Sequence, residues 1–245
     1  MGEVKYHELD LPSKLIPYKA DGVTKVEIRM TKGKDIKLIG EFNTENFEKK
    51  FKLLLTNILR GIDPGKLTIG DRLYIVIWLA MNCESNLFPI DLFCESCLRT
   101  TKKYNIELNT LGKVFLPEGF KEPYTVKLIS GEMVNIRLYR VNDQIQYMDY
   151  IATKNGEEDL LFKLAQTIVD DKDMIKRIEW LNELDTKDVG LIRAAHEKYF
   201  HGVDMDNAPY ICPKCGGAGS TPVPFRLDLL LPNGSLVAGS LGRSV

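Results

Sequence analysis

The sequence predicts an α+β fold, built of β-hairpins and a split zinc ribbon with a helical-bundle insertion, and three observations carry that prediction. Two cysteine pairs of knuckle spacing, Cys94-Glu95-Ser96-Cys97 and Cys212-Pro213-Lys214-Cys215, stand far apart in the chain. A polar/apolar alternation follows each pair, at Tyr104–Leu108 and at Val223–Leu229, as in half-buried strands. Between the pairs, most of residues 142–200 carry apolar residues at helical spacing.

Each cysteine pair has the spacing that points two thiolates at one tetrahedral ion, and two pairs supply a closed set of four ligands. Cys94, Cys97, Cys212 and Cys215 are therefore the candidate metal ligands for one structural zinc, joining residues 115 positions apart from Cys97 to Cys212. The competing readings are buried thiols or two redox pairs. A redox pair of this spacing needs a strand running into a helix whose N-terminus lowers the thiol pKa. Here strands are expected after both pairs, so the metal reading is preferred. Four thiolates leave no open position for water, so the ion would hold the fold and do no chemistry.

The chain has 245 residues, 44% hydrophobic and 27% charged, with a formal net charge of −1. That is enough apolar material for a real core. The basic excess of a general nucleic-acid binder is missing, so nucleic acid is an unlikely partner. No apolar run approaches the length that spans a bilayer, and the first residues lack the apolar core of a signal peptide. The expectation is a protein made in a reducing cytoplasm, where thiols stay available to metal, with no membrane partner. Met1-Gly2 does not read as a myristoylation site, because Tyr6 stands where Ser or Thr is required.

Residues 1–20, with Pro12 and Pro17 among Leu9, Leu11, Leu15 and Ile16, read as an extended arm laid over its own domain or a neighbour. Val26, Ile28 and Met30, then Gly33, then Ile36, Leu38 and Ile39 read as a β-hairpin. Phe47, Phe51, Leu54, Leu55, Ile58 and Leu59 make one continuous helical face, which Gly61 and Pro64 terminate. Thr68-Ile69-Gly70-Asp71 reads as a variant capping box opening a helix over Arg72–Cys83 that is apolar on nearly every side and central to the core. Cys83 reads as a small buried residue. Residues 21–110 and 205–232 are assigned to one core domain carrying the split ribbon.

Residues 111–204 form the expected insertion. Val126–Ser130 and Val134–Leu138 around Gly131-Glu132 predict a hairpin. Four helical segments follow, opening near Asn142 or Asp143, Gly156, Met174 and Thr186. The acidic groups Glu157-Glu158 and Asp170-Asp171-Asp173 read as helix caps and solvated ends. Residues 233–245, rich in Gly and Ser but dotted with leucine and valine, read as a flexible tail that orders against a partner.

No catalytic residue is predicted. His196 and His201 look like a zinc-protease pair at a glance, but five positions place them about 140° apart on a helix. They read as a solvated helix end. Gly216-Gly217-Ala218-Gly219-Ser220 lacks the lysine of a phosphate loop and reads as the turn leaving a knuckle. Arg99, Lys102 and Lys103 read as charges that protect a strand edge.

The order of parts, from Leu11-Pro12-Ser13 through the Phe47–Leu59 helix, Leu67-Thr68-Ile69-Gly70-Asp71 and Cys94-x-x-Cys97 to Cys212-Pro-Lys-Cys215-Gly216, resembles the baseplate hub and tail-assembly family of contractile-tailed bacteriophages. The resemblance is best over residues 9–110 and 205–232. It implies the same four cysteine ligands, no catalytic residue, and a virion protein of the tail baseplate, assembled in the host cytoplasm. It further implies a zinc-stapled scaffold at the hub that contacts other hub, spike and wedge proteins and takes no small-molecule substrate. Two alternatives stay open at this point: an assembly chaperone absent from the mature particle, and a zinc-ribbon adaptor for nucleic acid or the transcription machinery.

Overall fold

The computed structural model describes residues 4–43, 45–225 and 227–230, so the stretch expected as a tail at 233–245 lies outside the described residues. Helix and several small antiparallel sheets alternate along the chain. The first sheet takes β1 (His7–Glu8), β2 (Glu27–Ile28) and β3 (Leu59–Arg60) in that order. Between β1 and β2 the arm lies on its own core: Leu9, Leu11 and Tyr18 are buried, and Ile16–Asp21 turn as a 3-10 helix.

Two helices connect β2 to β3, α1 (Gly33–Ile39) and α2 (Phe47–Ile58). The expected hairpin over 26–39 is therefore corrected: only Glu27–Ile28 is strand, and its second half is helix. The cause is Asp35. Its carboxylate accepts the Lys32 N–H at 2.8 Å and a two-pronged bond from Arg29 at 2.7 and 3.1 Å, which caps a helix start and leaves nothing for a strand ladder. Burial opposes ionisation of Asp35, but the Arg29 guanidinium and the Lys32 N–H outweigh it and hold the carboxyl below its usual range.

Helix α2 buries Phe51, Leu54, Leu55 and Ile58, the face its spacing predicts. Helix α3 (Ile69–Leu79) follows, with Thr68 as its N-cap, and passes into a π-turn over Ala80–Glu84. Thr68 Oγ1 accepts the Asp71 N–H at 3.3 Å, but Asp71 does not close the box. The Tyr18 hydroxyl inserts instead, accepting the Thr68 N–H at 2.8 Å and donating to Asp71 Oδ2 at 2.6 Å, while the Ser13 N–H binds Asp71 Oδ1 at 2.9 Å. The arm is thus pinned to the helix start through groups that are all buried. Cys83 is half-buried, with Sγ 3.5 Å from Met30 Sδ.

The hairpin of β4 (Leu87–Cys94) and β5 (Arg99–Glu107) comes next, then β6 (Lys113–Val114). A second hairpin, β7 (Tyr124–Lys127) with β8 (Met133–Ile136), stands where the Gly131 signal put it. Helices α4 (Val141–Thr153), α5 (Leu160–Ala165), α6 (Met174–Glu183) and α7 (Thr186–Lys198) follow. They divide between two hydrophobic clusters. Val141 and Ile145 of α4 join the first cluster beside α2, where Lys52 Nζ reaches Asn142 Oδ1 at 2.9 Å. Leu164, Leu181 and Ile192 of the other three pack with Val126, Val134 and Ile136 of the hairpin in the second.

Strand β9 (Gly202–Val203) pairs with β6, and β10 (Ala208–Ile211) pairs with β11 (Ala218–Thr221). The strand expected over Val223–Leu229 is corrected: the ladder ends at Thr221, and Leu227–Leu230 form a 3-10 turn. Pro222 and Pro224 supply no N–H for a ladder, and the Val223 N–H between them goes to Met205 O at 2.7 Å. Among the described residues no helix is long and apolar enough to cross a membrane.

Candidate metal centre

Both cysteine pairs sit in the turns of hairpins, and strand period aims them. Along β4 the inward residues are Phe88, Ile90, Leu92 and Cys94; along β10 they are Ala208 and Tyr210, with Cys212 next in register. The first cysteine of each pair is therefore carried into the core by its strand. Cys97 is half-buried and Cys215 exposed.

The two turns are built alike. Leu98 N–H donates to Cys94 O at 2.8 Å, and Gly216 N–H donates to Cys212 O at 2.9 Å. The donor is left-handed in both, with φ of 55° at Leu98 and 73° at Gly216. In the second turn, Lys214 N–H and Gly217 N–H point at Cys212 Sγ and Cys215 Sγ, each at 3.4 Å. Lys214 Nζ crosses to Thr100 O at 3.2 Å, and Ile211 N–H to Tyr104 Oη at 3.4 Å, holding one hairpin against the other.

The result brings four sulfurs together. Cys94 Sγ lies 3.8 Å from Cys215 Sγ and Cys97 Sγ lies 3.9 Å from Cys212 Sγ, with all four within 4.8 Å of one another. A disulfide would need about 2 Å. Four thiolates at about 2.3 Å from a central ion stand about 3.8 Å apart along a tetrahedron's edge, so the spacing fits a metal ion. The thiols influence one another. The Cys97 N–H, ahead of the neighbouring thiols, holds Cys94 down to about 6. At Cys215 the Gly217 N–H acts downward, but burial and the other three thiols prevail and push it up to about 12.

The two histidines are elsewhere and are not the solvated helix end expected of them. His201 is buried, with Nε2 2.7 Å from Thr68 Oγ1 and Nδ1 3.1 Å from Tyr199 O, so it takes no place among the sulfurs. A carbonyl only accepts, which puts the proton on Nδ1 and makes Nε2 the acceptor of the Thr68 hydroxyl. His196 lies between Tyr124 Oη at 3.3 Å and Thr167 Oγ1 at 3.0 Å. Thr167 already donates to Leu164 O at 2.7 Å, so it accepts from Nε2–H, and Tyr124 donates to Nδ1. Burial, then the Arg137 charge, hold this imidazole down to about 4. Sequence reading missed Thr68, Tyr124 and Thr167 as partners because Thr68 lies 133 residues from His201, and the other two lie 72 and 29 from His196.

Gly70 carries a signal that spacing did not reveal: a Cβ there would stand 2.0 Å from His201 O, so α3 touches the segment after α7 backbone to backbone. Arg99, Lys102 and Lys103 are exposed on β5, with Lys103 N–H on Asp91 Oδ1 at 3.2 Å. Asp173 caps α6 through the Lys176 N–H at 2.9 Å, and Asp170 pairs with Arg177 at 2.7 Å.

A family model described as T4 bacteriophage base plate protein matches residues 7–227, a span that contains Cys94, Cys97, Cys212 and Cys215. No curated protein and no solved structure gives a significant match.

Proposed function

The chain belongs to the T4 bacteriophage base plate protein family and is a structural component of the virion tail, and from that premise we propose a zinc-stapled scaffold at the hub of a contractile-tail baseplate. Cys94, Cys97, Cys212 and Cys215 would hold one zinc ion that supplies folding free energy and no reaction. The observation that carries this reading is the convergence of the four sulfurs from two hairpin turns separated by more than a hundred residues.

The work proposed is geometric. Closing the two hairpins on one ion fixes the base of the intervening segment, so that β7, β8 and α5–α7 present their surface at a set angle. The partners of that surface would be hub, spike and wedge proteins. A nearly neutral chain supports protein partners over nucleic acid. No residue is assigned a catalytic role.

Purified virions, cross-linked and digested, test the hub position by quantitative mass spectrometry. The expected result is a fixed small-integer ratio to a central spike subunit, with cross-links from this chain to hub proteins. Absence from finished particles, or cross-links confined to the outer wedges, would overturn it.

A further inference from the structure

Val26-Glu27-Ile28-Arg29 and Val134-Asn135-Ile136-Arg137 share three residues in four, and each arginine is followed six positions later by an aspartate, Asp35 and Asp143. The structure repeats the match atom for atom. Arg137 forks onto Asp143 at 2.7 and 2.9 Å as Arg29 does onto Asp35. In each case one guanidinium nitrogen also donates to the next residue's carbonyl, Met30 O at 2.8 Å and Leu138 O at 3.1 Å. The helix N-cap N–H, from Lys32 or Arg140, reaches the same aspartate oxygen at 2.8 Å.

The surroundings repeat as well. Ile28 stands between His7 and Leu59 in one antiparallel sheet; Ile136 stands between Tyr124 and Ile168 in the other. Arg29 N–H binds Ile58 O at 3.0 Å, and Arg137 N–H binds Thr167 O at 2.9 Å. Each aspartate sits in the first turn of the first of two helices, α1 and α2, then α4 and α5, after which the chain returns to pair with the second strand, as β3 in one case and through a single bridge at Ile168 in the other. An arginine–aspartate clamp at a strand–helix junction is a solution that could arise twice independently. The same clamp with the same preceding strand, helix pair and returning segment bonded to the same strand is not explained that way. We infer that residues 7–60 and 124–169 are two copies of one module, two antiparallel strands, two helices and a returning segment that pairs with the second strand, separated in the chain by α3, the β4–β5 hairpin and β6.

The junction shows how the second copy is carried. Val141 N–H binds Leu67 O at 2.9 Å and Ile69 N–H binds Tyr139 O at 3.2 Å, with Leu67 and Val141 fully buried. The positions of the first copy that match Arg140 and Val141 are Lys32 and Gly33, and both are exposed.

Hydrogen exchange of the full chain, read at single amides, tests the inference with Asp35→Ala and Asp143→Ala. Asp35→Ala should speed exchange at Arg29 and Lys32 by about tenfold or more while Arg137 and Arg140 stay protected, and Asp143→Ala should do the reverse. Release of both pairs by one substitution, or of neither, would overturn it. Arg29→Lys and Arg137→Lys, which keep the charge and lose the fork, give the same readout should an alanine variant not fold.

Discussion

Cys97 Sγ and Cys212 Sγ stand 3.9 Å apart although 115 residues separate them, and no disulfide joins them. Four thiols at this spacing could bind one ion as thiolates.

Metal content follows directly. Protein purified without chelator should carry one zinc per chain by elemental analysis, and Cys212→Ser should carry little. Chelation of the native chain should lower its melting temperature by about 10 °C or more, because the site's binding free energy is folding free energy. Full stability with no bound metal would show that the four thiols pack without an ion.

Tyr18→Phe deletes one oxygen at the place where the arm meets α3. It strands the Thr68 N–H and removes a donor from Asp71, both fully buried. A loss of about 1–3 kcal/mol is expected in denaturant unfolding, with faster proteolysis near Lys14 as the arm loosens. Burial, then the Asp71 carboxylate, push the Tyr18 hydroxyl far above its usual range, as burial also does at Tyr124 and Tyr139, so Tyr18→Phe should leave the ultraviolet titration unchanged up to high pH. A stability unchanged by the substitution would mean that water replaces the hydroxyl.

What the sequence made legible was local. Helix α2 announced itself by one apolar face, α3 by Thr68, the β7–β8 hairpin by Gly131, and the cysteine pairs by their spacing. What stayed hidden depended on distant partners. Ile36, Leu38 and Ile39 look strand-like until Asp35 is seen to be held by Arg29. Val223 to Leu229 alternates as a strand would, but Pro222 and Pro224 stop the ladder first. His196 and His201 read as solvated because the residues that enclose them, Tyr124, Thr167 and Thr68, come from other elements.

His196 gives the fold a defined response to acid. Its folded pKa of about 4 lies below the ordinary 6.5, so the native state favours the neutral ring. The stabilisation is complete above pH 6.5 and declines as the pH falls from 6.5 to 4, by about 1.4 kcal/mol per unit and about 3 kcal/mol in all. Because an ion held by the four thiolates would also be released in acid, the measurement is the difference between native chain and His196→Gln at each pH. That difference should shrink over this window. A constant difference would mean that the unfolded chain holds His196 in an equally depressed state.

Leu98 and Gly216 occupy the same left-handed position in the two cysteine turns, and only one of them is the residue that position favours. A leucine there costs about 1–2 kcal/mol of backbone strain, and this one is 73% exposed, so its side chain returns little through burial. Leu98→Gly should therefore leave the fold as stable or raise stability by about 1 kcal/mol, whereas Gly216→Leu should lower it by a similar amount. Thermal unfolding of the metal-loaded chain reads both. Destabilisation by Leu98→Gly would show that the leucine side chain braces the turn through contacts its exposure does not suggest. Unchanged stability together with failed particle assembly would instead place Leu98 at a contact with a neighbouring baseplate subunit, where strain in a bulky residue is kept for what it touches.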